Sequence, residues 1–259
     1  MMEERKKIEI EYYDKEASSS NEEIKEAGSL AGFNPLVLES YKFLRSLANA
    51  ECRNKKVLDY GCGMGIHIIP LSRVAKEVIG IDLSQKSLNI AQKRISENGV
   101  KNAKVILMDA EKLEFTDNYF DVIFDGGTFS SIDLNKALPE LRRVLKQDGI
   151  IIGIETLGHN PLTNFKRQIN KITGRRTGWA ADHILKMGDL ETIKRYFIKT
   201  DIYFFHPVSW LAIPFVNLPG GRFLLKSLEG VDKFLLFVFP FFKKYSFKIV
   251  FVFYGKKVI

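Results

Sequence analysis

The chain contains little cysteine. Its 259 residues include two, Cys52 and Cys62, and neither belongs to a Cys-x-x-Cys pair or a Cys/His cluster. Two cysteines cannot form a disulfide framework, and zinc sites need such pairs or clusters. The charged first residues, MMEERKKIEIEYYDKEA, also lack the apolar stretch of a secretory signal peptide. The sequence therefore predicts a protein of a reducing compartment that binds no metal.

Long hydrophobic runs are absent as well. The longest strongly apolar run is FLLFVFPFF, residues 234–242, and Pro240 interrupts it. A transmembrane helix needs about 20 apolar residues, so this run is too short to cross a bilayer. We expect a cytoplasmic protein whose contact with a membrane, if it has one, is peripheral.

Positive charge is concentrated near one end of the chain. Lys and Arg outnumber Asp and Glu by 39 to 31, which gives a net charge of +8 and a pI near 9.3. Residues 222–259 contain eight Lys or Arg and two Asp or Glu, so they carry six of the eight net charges. This end is also rich in Phe, since 12 of the 20 Phe follow Asp201. The nearly neutral remainder argues against the basic groove of a nucleic-acid enzyme.

Short apolar runs alternate with helical segments through the middle of the chain. The runs are continuous, as in parallel strands that are buried on both faces. This order predicts an α/β fold with helices on both sides of a parallel sheet. The predicted strands are 56–60, 77–82, 103–108, 119–124, 150–155, 201–207 and 247–254. The predicted helices are 35–50, 65–74, 84–98, 133–146 and 189–197, with Ser84 and Asp133 as amino-terminal caps.

A glycine-rich loop follows the first predicted strand. In VLDYGCGMG, Gly61, Gly63 and Gly65 are spaced as GxGxG at a strand-to-helix turn, where glycines let the backbone approach a ligand closely. Ile66 stands where a dinucleotide-binding fingerprint has its third glycine, which weakens an interpretation as an NAD site. No Gly-Lys-Ser/Thr follows, so the loop is not a P-loop.

Three carboxylates accompany this loop. Asp59 precedes it by two residues, and a carboxylate there would repel a pyrophosphate but attract a cationic group. Asp82 ends the next strand, 23 residues later, where doubly wound folds place an acid that binds ribose hydroxyls. Asp109 ends the third strand and could accept from an adenine amino group. Together these positions predict a ligand with an ammonium group, a ribose and an adenine but no phosphate.

The sequence resembles a known family between about residues 55 and 156. The segments that carry the resemblance are, in order, VLDYGCGMG, VIGIDLS, VILMDAEKLEF, FDVIF and LRRVLKQDGIIIGIE. They are similar to class I S-adenosylmethionine-dependent methyltransferases, of the broad type that includes quinone-biosynthesis methyltransferases. The resemblance implies a Rossmann-like, doubly wound sheet of seven strands, in which the last strand is antiparallel and lies between the fifth and the sixth.

The same resemblance implies that S-adenosylmethionine is the cofactor. By it, Asp82 would hold the ribose, and Asp109 with Ala110 would hold the adenine. Tyr13 resembles an aromatic residue that closes over the cofactor, and Asp125 matches a position near the methionine moiety. The full set of implied cofactor-binding residues is Tyr13, Asp59, Gly61, Cys62, Gly63, Gly65, Asp82, Leu83, Asp109, Ala110 and Asp125.

No repeat, low-complexity tract or linker divides the sequence, so we expect one methyltransferase domain over residues 1–259. Residues 1–54 are expected to form a helical lid, 55–157 the cofactor-binding core, and 158–259 the substrate-side half. Within that half, 158–186 is polar and is predicted to be an irregular insertion, and 208–245 is an apolar insertion.

The acceptor is constrained mainly by what is missing. After the fourth strand the chain reads DGGT, residues 125–128. Enzymes that methylate amino groups of nucleic acids share an Asn/Asp-Pro-Pro-Tyr/Phe loop at this place, and this chain lacks it. No cysteine follows Cys62, so the usual nucleophile for pyrimidine-carbon methylation is absent from its usual places. Both observations argue against a nucleic-acid substrate.

Two histidines are candidate catalytic bases. His159, just past the fifth strand, is expected at the mouth of the crevice, and His183 lies in the polar insertion. A histidine can accept a hydroxyl proton near neutral pH. A structural role stays open for each, and the pattern favours packing roles for His67 and His206. Arg175–Arg176 is a candidate for binding an anionic group, or else a solvated pair.

The residues favour methyl transfer to a small-molecule or to a lipid- or glycan-linked acceptor, at oxygen, by in-line displacement. One alternative is an RNA methyltransferase, which the pI alone suggests. The other is a non-catalytic scaffold that binds the cofactor and presents its aromatic tail to a partner. Residues 210–245 are either a hydrophobic cap on the core or a lid that contacts a membrane.

Overall fold

The strands form one seven-stranded sheet. The computed structural model describes residues 3–19 and 37–257. Its strands are β1 (Lys56–Tyr60), β2 (Glu77–Asp82), β3 (Ala103–Leu107), β4 (Phe120–Asp125), β5 (Leu145–Thr156), β6 (Phe197–Phe205) and β7 (Lys248–Lys256). They lie in the order β3-β2-β1-β4-β5-β7-β6, and β7 is antiparallel to both of its neighbours. The doubly wound Rossmann-like sheet expected from the sequence is confirmed.

Helices flank this sheet. They are α1 (Glu4–Ser19), α2 (Glu39–Glu51), α3 (Ile68–Ser72), α4 (Gln85–Glu97), α5 (Leu134–Val144), α6 (Pro161–Ile172), α7 (Gly178–Asp182), α8 (Met187–Lys194) and α9 (Gly221–Val238). Short 3₁₀ segments cover Phe129–Ser131, Ser209–Phe215 and Pro240–Tyr245.

Each face of the sheet has its own apolar core. Successive residues of a strand point to opposite faces, so Val57 of β1 packs in one cluster and Leu58 in the other. The first cluster contains Leu44 of α2 and Leu88 of α4, and the second contains Leu141 of α5. Burial on both faces is the reason that these strands read as continuous apolar runs.

Local signals mark several helix boundaries as predicted. The Ser84 hydroxyl accepts a hydrogen bond from the backbone N–H of Ser87, and the Asp133 carboxylate accepts one from Asn135. Both side chains satisfy a backbone donor that the helix leaves free, as amino-terminal caps do. The predicted helix 35–50 is observed from Glu39, and its first two residues lie outside the described part of the chain.

The segment 158–186 differs from its prediction as an irregular insertion. It contains α6 and α7, and α6 begins with a proline after the capping residue Asn160. The Asn160 side chain accepts from the backbone N–H groups of Leu162 and Thr163. The many polar residues hid this helix, although an Asn-Pro start is a helix signal.

The order of the strands determines where a ligand can bind. The chain crosses from one half of the sheet to the other between β1 and β4, and doubly wound folds bind ligands at the carboxyl ends of such strands. β6 runs in the same direction as β5, because both are antiparallel to β7. The apolar insertion that follows β6 therefore begins at this same carboxyl edge.

Replacing Phe251 by alanine tests the core on the second face. Phe251 is fully buried and stacks on Phe253 at 4.5 Å between ring centroids. We expect Phe251→Ala to lower the free energy of unfolding by about 3–5 kcal/mol, because it removes a large buried ring and leaves a cavity. Denaturant unfolding measures the change. The exposed Phe223→Ala should change it by no more than about 0.5 kcal/mol, and equal effects would contradict the described packing.

Candidate active site

A cavity of about 280 Å³ opens at the carboxyl edge of the sheet. Seven of the sequence-predicted cofactor residues line it, namely Tyr13, Gly61, Cys62, Gly63, Asp82, Leu83 and Ala110. They come from α1 and from segments at or after the ends of β1, β2 and β3. The topology thus brings together residues that lie almost one hundred positions apart in the sequence.

The glycine loop is shaped by close contacts. Gly61 has a φ of +67° and Gly65 a φ of +76°, in the left-handed region that glycine adopts readily. A Cβ atom at Gly61 would lie 2.2 Å from the Thr128 hydroxyl oxygen, and one at Gly65 would lie 2.8 Å from the Ala91 Cβ. Larger residues would therefore push the loop away from Thr128, which follows β4, and from α4.

Asp82 supports this loop and stays available to a ligand. One carboxylate oxygen accepts from the backbone N–H of Gly63 at 2.9 Å, and the other accepts from that of Ser84 at 2.8 Å. Each oxygen has two lone pairs, so each can accept one further hydrogen bond. Asp82 can therefore receive two neighbouring hydroxyls, as a ribose presents them.

Asp59 lies buried at the end of β1, with 1% of its surface exposed. Neither carboxyl oxygen has a hydrogen-bond partner within the described residues. Burial, with a smaller effect from the charge of Asp82, raises the pKa of Asp59 to about 8. The carboxyl is therefore mostly neutral at pH 7 unless a cation lies beside it.

Asp109 and Asp125, like Asp59 and Gly65, lie outside the residues that line the cavity. One Asp109 oxygen accepts from Lys6 of α1 at 2.6 Å, and the other accepts from the backbone N–H of Glu111. Asp125 is buried and accepts from the backbone N–H of Thr128 at 2.8 Å. Burial, and then the nearby charge of Glu155, hold the pKa of Asp125 well above its usual range. The cofactor roles that the resemblance implies for these two acids stay predictions.

Helix α1 covers one side of the cavity. Glu9, Ile10, Tyr13 and Glu16 lie on its wall. Tyr13 is three or four residues from each of the others, which places the four along one side of the helix. Arg5 anchors the helix to Glu111 at 2.6 Å, and the Ser84 hydroxyl donates to Asp14 at 2.6 Å. Of the predicted lid 1–54, this helix is the part that reaches the cavity among the described residues.

The two predicted catalytic histidines are not on the cavity wall. His159 Nε2 accepts from the backbone N–H of Met187 at 3.0 Å, so this nitrogen is already used. His183 is exposed and stacks on the Trp179 ring at 3.6 Å between centroids. The base role of each histidine stays a prediction without support from its position. Nor do the described residues include any group of three or more His, Cys, Asp and Glu that could hold a metal ion.

Several residues on the wall were missed by sequence reasoning. They are Glu9, Ile10, Glu16, Met64, Ile66, His67, Ser84, Ser87, Met108, Gly126, Gly127, Thr128, Ser131 and Ile132. The His67 ring does pack, against Phe124 at 4.9 Å, and burial lowers the pKa of His67 to about 4. Thr128 donates to the carbonyl of Tyr60 and so ties the loop after β4 to the glycine loop.

A family model described as a methyltransferase domain matches residues 52–184, just over half of the chain. The chain belongs to the class I S-adenosylmethionine-dependent methyltransferases. It is 38% identical over 107 residues to an uncharacterized methyltransferase, YcgJ, of Bacillus subtilis, covering 40% of this chain and 42% of that one. It is 35% identical over 108 residues to a demethylmenaquinone methyltransferase of Staphylococcus aureus, covering 40% and 44%. The match spans less than half the length of these curated relatives.

Solved structures of methyltransferases share the fold. The Bacillus YcgJ structure superposes with a TM-score of 0.55 and 22% identity, over 84% of this chain and all of that one. A phosphoethanolamine N-methyltransferase of Haemonchus contortus, in complex with S-adenosylmethionine, gives a TM-score of 0.61 and 18% identity, over 85% of this chain and 54% of that one. At these identities the likeness concerns the fold alone.

The acidic side chains of this site fit S-adenosylmethionine, the cofactor of the family. The Asp82 carboxylate would accept from ribose hydroxyls, and the buried, unpartnered Asp59 suits a cationic amino-acid moiety. No lysine or arginine lies on the cavity wall, which matches a cofactor without phosphate.

Removing the Asp82 carboxylate tests this placement. We expect Asp82→Asn, which keeps the shape and one acceptor oxygen, to weaken cofactor binding at least about tenfold, because charged hydrogen bonds contribute about 1.5–3 kcal/mol each. Calorimetry measures the dissociation constant, with the exposed Glu97→Gln as the control. Unchanged affinity in Asp82→Asn would place the ribose elsewhere.

Asp59 gives a pH-dependent signature. A cationic ligand favours the ionised carboxylate, so cofactor binding at pH 7 should release protons, and Asp59→Asn should release fewer. Calorimetry in buffers of different ionisation enthalpy counts these protons.

Because the pKa of Asp59 is raised in the folded state, the unliganded protein should lose stability as pH rises from the ordinary carboxyl pKa to about 8. Equal release and equal pH dependence in Asp59→Asn would exclude Asp59 as the titrating group.

Proposed function

We propose that this protein transfers a methyl group from S-adenosylmethionine to a small-molecule or to a lipid- or glycan-linked acceptor. The observation that carries the proposal is the cavity at the carboxyl edge, where the glycine loop, Asp82 and Ala110 meet under α1. When bound, the cofactor supplies a methyl group that a sulfonium already activates. The protein then has to hold the acceptor in line with that group and to exclude water.

Helix α1 is suited to excluding water. Its inner face lines the cavity, and charged anchors hold both its first turns and its middle, through Arg5 with Glu111, Lys6 with Asp109, and Asp14 with Ser84. These contacts hold α1 over the cavity, where its inner face shields a bound ligand from water.

We further propose that Glu9 accepts the proton of an acceptor hydroxyl. Methylation at oxygen needs a base near the reacting hydroxyl. Glu9 is buried on the cavity wall, and one of its oxygens accepts from the Thr177 hydroxyl. The other oxygen is buried without a hydrogen-bond partner among the described residues. Burial raises the pKa of Glu9 and so makes its carboxylate a stronger base.

A conservative change at Glu9 tests this role. We expect Glu9→Gln to lower the rate of methyl transfer by about 10²-fold or more, because positioned general bases contribute 10²–10⁴-fold. Cofactor affinity should change little. The wild-type rate should rise with pH through the raised pKa of Glu9, since the base acts when it is deprotonated. Glu11→Gln, exposed on the same helix, is the matched control. An unchanged rate of methyl transfer in Glu9→Gln would exclude Glu9 as the base and leave His159 and His183 as the candidates.

An apolar acceptor is supported by the surroundings of the site. The relative from Staphylococcus aureus is named a demethylmenaquinone methyltransferase, which concerns a small-molecule acceptor in that protein. Here residues 210–245 begin at the carboxyl edge and expose several Phe and Leu side chains, which supports peripheral contact with a membrane. Within residues 3–19 and 37–257, no helix has the length and apolar character to cross a bilayer.

A screen with radiolabelled S-adenosylmethionine identifies the acceptor class. Lipid extract, water-soluble metabolites and bulk RNA are incubated separately with wild-type protein and with Asp82→Asn. Label in the lipid or metabolite fraction that needs Asp82 supports the proposal. Label in RNA alone would favour an RNA methyltransferase, and cofactor binding without label in any fraction would favour a non-catalytic scaffold.

A further inference from the structure

Helix α6 turns its apolar face to solvent. Leu162, Phe165, Ile169 and Ile172 recur at intervals of three and four residues and form one stripe. All four are exposed, Phe165 to 69% and Ile172 to 84%. The side chains that α6 buries are instead polar, Thr163 and Arg167. The usual arrangement of a surface helix is therefore reversed.

Buried hydrogen bonds fix this orientation. The Arg167 guanidinium donates to the carbonyl of Leu157, directly after β5, and to the side chain of Asn164. Arg167 is 7% exposed, and this burial lowers its pKa to about 10. The Thr163 hydroxyl donates to the carbonyl of Asn160 at 3.0 Å. Rotating α6 to bury its apolar stripe would break the bonds of Arg167, so the exposed stripe belongs to the folded state.

Helix α9 carries a second exposed apolar stripe. At 3.6 residues per turn, Phe223, Phe234 and Phe237 fall on one side of the helix, and Phe237 is 85% exposed. Leu225 and Asp232 lie on the opposite side and are buried against the protein. A helix that packs on one face and exposes aromatic side chains on the other presents an apolar patch of the kind that marks an interaction site.

The two stripes belong to neighbouring parts of the structure. The Asn160 side chain, which caps α6, donates to the carbonyl of Tyr245 at 3.0 Å. Tyr245 ends the 3₁₀ segment Pro240–Tyr245, which follows α9 and exposes Phe241. The start of α6 and the segment that follows α9 are therefore in contact near the carboxyl edge of the sheet, on which the cofactor cavity also opens.

The exposed charges of these two helices that have no ion-pair partner among the described residues are positive. Lys166 on α6 and Arg222 and Lys226 on α9 are exposed and make no ion pair with another described residue. α6 contains no acidic residue. The acids of α9 are turned inward, since Glu229 accepts from the backbone N–H of Glu39 and Asp232 from that of Val208. A second copy of this surface would be repelled by the same charges, whereas an anionic surface would be attracted.

We propose that α6 and α9 together form a docking surface for an anionic lipid bilayer. The Phe, Leu and Ile side chains enter the boundary between headgroups and acyl chains, and the cations contact anionic headgroups. In this position the cavity lies close to the bilayer, so a lipid-linked acceptor reaches it without crossing water. This last step rests on the proposed methyl transfer, while the docking itself does not.

Vesicle flotation of the full chain tests the surface. Vesicles of phosphatidylcholine, with and without about 30% phosphatidylglycerol, provide the neutral and the anionic bilayer. We expect the protein to float with the anionic vesicles, less so at high salt. Phe165→Ser with Ile172→Ser should reduce partitioning at least about tenfold, the change expected for losing one buried apolar side chain. Arg222→Glu with Lys226→Glu should remove the preference for anionic lipid.

Matched controls lie away from this surface. Leu107→Ser at the end of β3 and Ile198→Ser near the start of β6 also remove exposed apolar side chains, and they should float as the wild type does. The proposal is overturned if neither vesicle retains the protein at low salt, or if the α6 variant floats undiminished. It is also overturned if the α6 variant abolishes a dimer seen by ultracentrifugation while the wild type ignores vesicles.

Cofactor binding separates this inference from the proposed function. It is measured by calorimetry on the same samples. The α6 and α9 variants should bind S-adenosylmethionine as the wild type does, because none of the changed residues lines the cavity. Flotation without any cofactor binding would overturn the methyltransferase function and still support the docking surface. Cofactor binding without flotation would support the methyltransferase function and overturn the docking surface.

Discussion

A parallel sheet has to be covered on both faces, and this constraint determines where the rest of the chain can act. Helices such as α2 and α4 close one face, and α5 and α8 pack against the other. Only the two edges at which strands begin and end remain free for chemistry. The crossing between β1 and β4 opens a crevice at the carboxyl edge. The glycine loop, α1, α6 and the insertion before β7 all reach that one edge.

Buried carboxyl groups beneath this edge set the electrostatics of the site. Asp59, Asp125 and Glu155 are all buried at or near the ends of adjacent strands. Burial raises the pKa of each. For Asp59 it raises the pKa to about 8, so this carboxyl can release a proton when a cationic ligand binds. The nearby cations of α1, Arg5 and Lys6, are committed to Glu111 and Asp109. These two cations therefore do not neutralise the buried carboxyl groups, which remain able to attract a positively charged ligand.

The sequence was most informative where function depends on neighbours along the chain. The positions of the strands, the caps Ser84 and Asp133 and the turn glycines of the loop follow from local patterns. The place of β7 between β5 and β6 was implied by the family resemblance and not by any local pattern. A wall residue such as Thr128 could not be predicted, because its approach to Gly61 depends on the pairing of β4 with β1. Glu9 was missed because an isolated acid on a charged helix carries no signal of what that helix covers.

Two further differences have physical causes. His159 follows β5 as expected, but the backbone N–H at the start of α8 takes its Nε2, and this contact depends on tertiary structure. The polar composition of residues 158–186 predicts an irregular segment, and the structure has the helix α6 there. Its apolar residues do follow a helical period, and its reversed orientation comes from the burial of Arg167, which no local pattern reveals.

The position of β7 has a consequence for the order of assembly. β7 is the last strand in the sequence, yet it lies between β5 and β6 and is the only strand that joins them in the described sheet. Chains are synthesised from the amino terminus, and early segments begin to fold first. β6 therefore waits without a partner on the sheet until residues 248–256 have left the ribosome. During that interval the Phe-rich helix α9 has been made, but the sheet against which it folds is incomplete. The nascent chain therefore passes through a stage at which chaperones or a nearby membrane can bind α9 before β7 joins the sheet.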